Sequence, residues 1–285
     1  MRASPEQQIF KKGSITYYFS SKFFTKKVRE DVFKLYSFVR IADDYVDAIP
    51  QQTQQFHKLR KLWNQAKLAP PTNHQLPTIS SLNERVARNM IDVTRKYDFQ
   101  TEWIEAFLDA MQADIDKKTY KTLDDTLGYV YGSAEVIGLM MAKIMRLPKE
   151  SFEAAQMQGR AMQWINFIRD IEEDNALDRQ YFPQSDLEKF GIKDLSSKTS
   201  RAHPEKFKEF MRFQLSRYYD WQTEAYKGYK FIPRRLRVPL ATAADVYNWT
   251  ARKIDKNPLT VFEQKVKPGS GRVLIRACRQ LLAGI

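Results

Sequence analysis

Two short acidic runs carry the residues best suited to chemistry in this chain. In the first, Asp43, Asp44 and Asp47 follow Arg40. Asp43 and Asp47 stand four positions apart, which on a helix places them on one face about 6 Å from each other. In the second, Asn166, Asp170 and Asp174 recur at i, i+4 and i+8, with Arg169, Glu172 and Glu173 among them. That spacing lines one helical face over two turns. Each run opens on an otherwise apolar stretch: positions 35–42 read Leu-Tyr-Ser-Phe-Val-Arg-Ile-Ala and positions 161–165 read Ala-Met-Gln-Trp-Ile. Carboxylates at the end of an interior helix need cations, hydrogen bonds or water, because burying them unpaired is costly. Oxygen ligands on rigid helices suit magnesium, which keeps several waters and shares itself between one or two carboxylates and substrate phosphates. The two runs together point to a diphosphate. A single acidic pair of this spacing is usually a solvated face beside lysines. Two, each on an apolar helix with an arginine within a turn, favour a site. A di-iron bundle would want Glu-x-x-His pairs, and none of His57, His74 or His203 has a Glu three residues before it.

The elements that must position these runs read as helices almost throughout. Over 26–47 the apolar residues Val28, Val32, Leu35, Tyr36 and Val39 keep the rhythm of one helical face. Further helices are expected near 53–66, 81–97, 102–117, 123–145, 149–175, 205–229, 234–255 and 270–283. Thr122 with Asp125 fits a capping box, as does Ser185 with Glu188. Loops are expected at 69–73 and at 181–183, neither long enough to link domains. No alternating strand pattern and no repeat of 20 to 50 residues stands out. The expectation is an all-α, single-domain helical bundle over 1–285.

Length and charge bound the function. The chain has 285 residues, 43% of them hydrophobic, with 10 glycines and 12 prolines, so it is a folding globular chain and not a low-complexity one. The longest greasy stretch, 136–145, is interrupted by Lys143 and is too short to span a bilayer. The first residues lack the apolar segment of a secretory signal, and the single cysteine, Cys278, cannot form an internal disulfide. A cytoplasmic location is expected. The net charge of +13 favours anionic partners, whether nucleic acid, acidic headgroups or phosphorylated molecules. There is no zinc-finger spacing, RNP signature, Walker loop or GxGxxG, so no nucleic acid is expected as partner.

The motifs resemble those of the squalene and phytoene synthase family. Arg40 to Asp47 resembles its first motif, an Arg followed by a D-x-x-x-D-type stretch. Gln163, Asn166, Arg169-Asp170 and Glu173-Asp174 resemble its second, and Arg179, Tyr181 and Pro183 stand where the family has R-x-Y-x-P. Between them, 129–138 resembles its Tyr-containing, small-residue helix. The likeness runs from about 14 to 262. Where the family often begins with a His-Ser-Lys-Ser-Phe-like segment that touches diphosphate, this chain has Gly13-Ser14-Ile15-Thr16-Tyr17, keeping two hydroxyls.

The resemblance implies the terpenoid (isoprenoid) synthase fold with a central active-site cavity, and head-to-head joining of two prenyl diphosphates by a magnesium-dependent prenyltransferase. Asp43, Asp47, Asn166, Asp170 and Asp174 would hold Mg2+, with Mn2+ as a substitute. Ser14, Thr16, Arg40, Gln163, Asn166, Arg169, Arg179 and Tyr181 would bind substrate. Tyr129, Tyr131 and Tyr247 would border the carbocations or hydrogen-bond diphosphate, with Tyr129 and Tyr247 joining Asp43, Asp47, Asp170 and Asp174 as the catalytic set. The expected reaction takes two geranylgeranyl diphosphates to phytoene, through prephytoene diphosphate, in carotenoid biosynthesis. Residues 276–285 are too short and too charged for the anchor usual in eukaryotic squalene-forming relatives, which favours phytoene, and NADPH is expected only if the product is squalene. Ser20-Ser21 would leave room for a twenty-carbon chain, while Phe23 and Phe24 would narrow it. The alternatives are a squalene or dehydrosqualene synthase using farnesyl diphosphate, a terpene cyclase, and a non-catalytic family member. A water-insoluble product and a basic surface imply peripheral contact with an anionic membrane, and downstream carotenoid enzymes as partners; 238–249 with Arg234, Arg235 and Arg237 before it is either that contact or a buried helix with a basic entry.

Overall fold

The computed structural model describes residues 4–13, 21, 24–68, 81–269 and 271. Its helices are α1 (Pro5–Gly13), α2 (Lys26–Asp47), α3 (Thr53–Leu68), α4 (Leu82–Tyr97), α5 (Thr101–Asp116), α6 (Leu123–Val130), α7 (Val136–Ile144), α8 (Phe152–Arg169), α9 (Ile171–Ala176), α10 (Gln184–Lys189), α11 (Ser197–Ala202), α12 (Pro204–Lys227) and α13 (Arg234–Lys256). The helices expected at 26–47, 53–66, 81–97 and 234–255 form within a residue or two of those bounds. α1 had no counterpart among the expected elements. Apart from Gly271, the helix expected at 270–283 lies outside the described residues, as do the loop at 69–73, Ser14, Thr16, Ser20 and Phe23.

α2 has two working faces. Val32, Leu35, Phe38, Ala42 and Val46 are buried in the core. Tyr36, Val39, Arg40, Asp43 and Asp47, at helical spacing on a neighbouring stripe, border a cavity instead. Thr25 caps the helix, accepting from the Val28 N–H. The paired capping bonds between Thr122 and Asp125 start α6 as expected. The second expected box does not form: α10 begins one residue before Ser185, after Pro183, and the Ser185 N–H donates to the Lys121 carbonyl at 3.1 Å. The strand ahead of α10 had already committed that backbone.

Two long expected helices are interrupted. Over 123–145 a π turn, Tyr131–Glu135, separates α6 from α7. Over 149–175 a 3-10 turn, Lys149–Ser151, precedes α8, and the helix breaks at Asp170, where φ is −102° and ψ is 17°. The bonds from Asp170 N–H to Asn166 O and from Asp174 N–H to Asp170 O, both 2.8 Å, carry the i−4 ladder across the break. The stripe of Asn166, Asp170 and Asp174 therefore survives the change of helix.

Strands also form, contrary to expectation. β1 (Thr119–Tyr120) and β2 (Gln180–Pro183) pair in parallel, with Thr119 opposite Gln180. Both are too short to show a period of two in sequence. The core between them and the long helices is aromatic: Trp164 of α8 meets Trp221 of α12 and Phe182 of β2 edge-on, at 5.1 and 5.7 Å between ring centres. Among the described residues no helix is long and apolar enough to cross a membrane.

Candidate active site

A cavity of about 660 Å³ runs between α2, α5, the α6–α7 segment, α8 and α13. One end is polar. There Arg40, Asp43 and Asp47 from α2 meet Asn166, Arg169, Asp170 and Asp174 from the α8–α9 break, so both acidic runs border one space. The rest of the wall is largely apolar, with Val32, Leu35, Phe107, Ile137, Met141 and Leu240 among its side chains.

Local structure explains the convergence. α2 ends at Asp47, and Gln51 just beyond it donates to the carbonyls of Val46 and Asp114 at 2.8 and 3.1 Å, tying the end of α2 to α5. On the other side, the β1–β2 pairing brings Arg179 back to the same point. Its guanidinium donates to Asp47 and to the Val46 carbonyl, both at 2.6 Å, and approaches the Tyr181 oxygen at 3.4 Å. Arg40 pairs with Asp43 at 3.1 Å and with Asp44 at 2.6 Å. Arg169 pairs with its neighbour Asp170 at 2.7 Å. Both arginines thus make ion pairs while bordering the cavity.

Burial dominates the electrostatics of the site. Burial, and next the nearby Asp47, push the Asp43 carboxyl up to about 8 against the pull of Arg40. Asp43 keeps 36% of its side-chain area open and borders the cavity. Burial and then Asp170 hold Asp174 well above the ordinary carboxylate value. The Asn166 Oδ1 is buried and has no hydrogen-bond partner, an unusual state for an interior acceptor. Two carboxyls unwilling to ionise and one orphaned oxygen, on a shared cavity, are a donor set that suits a hard divalent cation. Among the described residues no group of three or more His, Cys, Asp and Glu side chains is close enough to hold a metal alone.

Of the expected site residues, Arg40, Asp43, Asp47, Tyr129, Gln163, Asn166, Arg169, Asp170, Asp174, Arg179, Tyr181 and Tyr247 all border this cavity. Tyr131 does not. It is 37% exposed, because residues two apart on a helix point to opposite sides and Tyr129 takes the cavity side. Asp44 faces outward to Arg40, with its side chain 46% open. The sequence reading missed Asp114, Lys265 and Lys267. Asp114 sits beneath the site, accepting from the Tyr129 and Tyr181 hydroxyls at 2.8 Å each. Its signal was present: a carboxylate on the stripe Phe107, Met111, Asp114, otherwise apolar at i, i+4, i+7. Lys265 pairs with Glu173 and lies 3.8 Å from Asp170. The Lys267 amine is pushed down to about 8 by burial, then by Arg169 and Lys265. No local pattern marks these two lysines as different from the basic residues before them.

Known proteins resemble this chain over most of its length. The profile described as squalene/phytoene synthase matches residues 10–272. A 15-cis-phytoene synthase of Pantoea ananas is 28% identical over 270 residues, which cover 89% of this chain and 82% of that protein. A 4,4'-diapophytoene synthase of Staphylococcus haemolyticus is 25% identical over 187 residues, 65% of this chain and 63% of its own. Among solved structures, a dehydrosqualene synthase in complex with ligand aligns with a TM-score of 0.79 at 22% identity, covering 98% of this chain and 94% of that one. A squalene synthase from Alicyclobacillus acidocaldarius aligns with a TM-score of 0.71 at 21% identity, covering 88% and 92%. The all-α bundle around a central cavity is the terpenoid synthase fold expected from the motifs.

Proposed function

The chain belongs to the squalene/phytoene synthase family, and from that premise we propose that it joins two geranylgeranyl diphosphates head to head, giving phytoene and diphosphate, in carotenoid biosynthesis, with the whole of 1–285 as one catalytic domain. The observation that carries this reading is the shared cavity: two acidic runs at one end and an apolar wall beyond them. A diphosphate head and a hydrocarbon tail need that pairing of surfaces.

Asp43, Asp47, Asn166, Asp170 and Asp174 are the residues that would hold Mg2+, or Mn2+ in its stead. The bound ion would supply positive charge to the departing diphosphate. Arg40 and Arg169, already at the rim, would clamp phosphate oxygens through their planar forks, and Lys265 and Lys267 would add charge there. Gln163 would donate to the same head group. Breaking the C–O bond sends its electron pair to diphosphate and leaves an allylic cation, which the apolar wall keeps from water. The double bond of the second substrate attacks that cation and a proton is lost, giving a cyclopropyl diphosphate. Its ionisation, rearrangement and final proton loss give phytoene. Tyr129, 7% exposed, and Tyr247 would border these cations with their rings. Ser14 and Thr16 would touch the diphosphate, as the family motif implies.

A second reading, two farnesyl diphosphates giving dehydrosqualene or squalene, is favoured by Phe24, a buried ring on the cavity wall. The test is incubation of purified protein with Mg2+ and each diphosphate, with and without NADPH, and extraction of hydrocarbons. A forty-carbon product formed without NADPH is the expected result. A thirty-carbon product selects the second reading, with NADPH dependence marking squalene. A cyclic product from one substrate, or no condensation by folded protein, overturns both.

The product is insoluble in water, so a cytoplasmic enzyme would release it at a bilayer, where downstream carotenoid enzymes would receive it. The corner between α12 and α13 suits that contact. Lys227, Lys230, Arg234 and Arg235 are exposed there, while Gly228, Tyr229 and Ile232 from the same corner border the cavity. Each lysine or arginine near an anionic surface contributes about 1 kcal/mol. Flotation with phosphatidylserine liposomes tests it: protein left wholly in the soluble fraction counts against membrane contact.

A further inference from the structure

Asp114 has no part in the chemistry outlined above, yet it is among the most enclosed carboxylates of the site. It is 3% exposed, and the hydroxyls of Tyr129 and Tyr181 both donate to it. Tyr181 stands between Asp114 and Arg179: the guanidinium approaches the phenol oxygen at 3.4 Å while the phenol donates onward. Asp114 and Asp47 both attract the Arg179 guanidinium. Arg179 therefore faces two carboxylates of different freedom. Asp47, bonded directly, keeps 42% of its side chain open, whereas Arg179 itself is only 3% open. A guanidinium this deep holds tightly to whatever countercharge it has, because leaving it unpaired costs several kcal/mol.

We propose that Asp114 is a positioning residue, the resident countercharge of Arg179, which lets Asp47 leave the guanidinium and give its carboxylate to a magnesium–diphosphate complex. This rests on the proposed function of the site. Burial raises the Asp114 carboxyl only to about 6, since Arg179 and the two phenols oppose it, so the charge is present at neutral pH. Without that charge Asp47 is the carboxylate that Arg179 bonds directly, with Asp174 its other acidic neighbour, and the Arg179–Asp47 ion pair competes with the metal. The geometry assigns the Tyr181 hydroxyl as the link, because it touches both partners.

The experiment measures thermal stabilisation of the full chain by Mg2+ with inorganic diphosphate, which needs no turnover. In Asp114→Asn the Mg2+ concentration giving half the stabilisation rises about tenfold or more, in the range seen when groups behind metal ligands are removed. Tyr181→Phe, which keeps the Asp114 carboxyl and breaks the link, moves it in the same direction. Adding Arg179→Gln to Asp114→Asn recovers part of the loss, because the uncompensated cation is gone; a merely structural defect would deepen. A Mg2+ requirement in Asp114→Asn within twofold of wild type overturns the proposal. Should that variant not fold, an unchanged requirement in Tyr181→Phe overturns it equally. Wild-type protein that Mg2+ and diphosphate do not stabilise overturns the reading of the site itself, and this inference with it.

Discussion

Arg179 and Asp47 are separated by 132 positions in the chain and by 2.6 Å in the fold. The contact joins the end of α2, where the first acidic run stops, to the residue before β2, just past the second. It is also where the carboxylates of both runs begin to feel one another: Asp174 is raised by Asp170 and by Asp47, and Asp43 by Asp47. The free protein thus gathers more carboxyls at one end of its cavity than it can ionise together. A cation bound with diphosphate would relieve that excess, and the first two expectations below follow from it.

Removing a carboxylate should separate activity from stability. Asp43→Ala and Asp170→Ala are expected to lower kcat by at least about a hundredfold, the scale of losing one preorganised charge-stabilising group. Asp174→Asn, which relieves repulsion with Asp170, should leave the metal-free protein at least as stable as wild type. Steady-state kinetics and thermal melts of the same preparations check both, and a destabilised Asp174→Asn would contradict the electrostatic account.

The raised Asp43 carboxyl makes metal-free stability depend on pH. Its folded value of about 8 lies above the ordinary 3.8, so the folded chain holds a proton that the unfolded chain releases. The stabilisation is complete below about 4 and is lost as pH rises through 8. Wild type should therefore lose stability relative to Asp43→Asn between pH 5 and 9 in chelator. A difference in melting temperature that stays flat over that window would show that Asp43 titrates normally.

Lys267 should set an alkaline limit on substrate binding. Its amine, pushed down to about 8, is charged below that pH and neutral above it, so KM for the prenyl diphosphate should rise as pH passes 8. Lys267→Arg, charged throughout, should flatten the rise while kcat changes little. The pH profile of KM in the two proteins is the measurement.

Packing against α8 depends on missing side chains. A Cβ on Gly138 would lie 2.2 Å from the Ala155 carbonyl oxygen, whereas a Cβ on Gly128 would meet nothing within 4 Å. Gly138→Ala should cost about 1–3 kcal/mol through overpacking, and Gly128→Ala should stabilise α6 by about 0.5–1 kcal/mol. Urea denaturation of the two variants against wild type decides it.

The helical periodicity of 26–47, the box at Thr122 and Asp125 and the spacing of Asn166, Asp170 and Asp174 are local properties, and each was legible because neighbours along the chain decide it. Where a distant partner intervenes, legibility fails. Ser185 lost its capping role to the strand that precedes it, and β1 and β2 are stabilised by each other and not by any pattern of their own. Tyr129 and Tyr131, two residues apart, point to opposite sides of one helical segment, and the packing around it decided which of them faces the cavity.

By itself, the sequence determined which polar residues recur on one helical face and which helices carry them, since side-chain chemistry and a 3.6-residue period are written in adjacent letters. Only the tertiary structure decided that the two acidic runs share one cavity, that Lys265 and Lys267 return to its rim and that Asp114 lies beneath Arg179. Those relationships are made by packing between segments far apart in the chain, and the electrostatics follow from distance and burial, which no local spacing encodes.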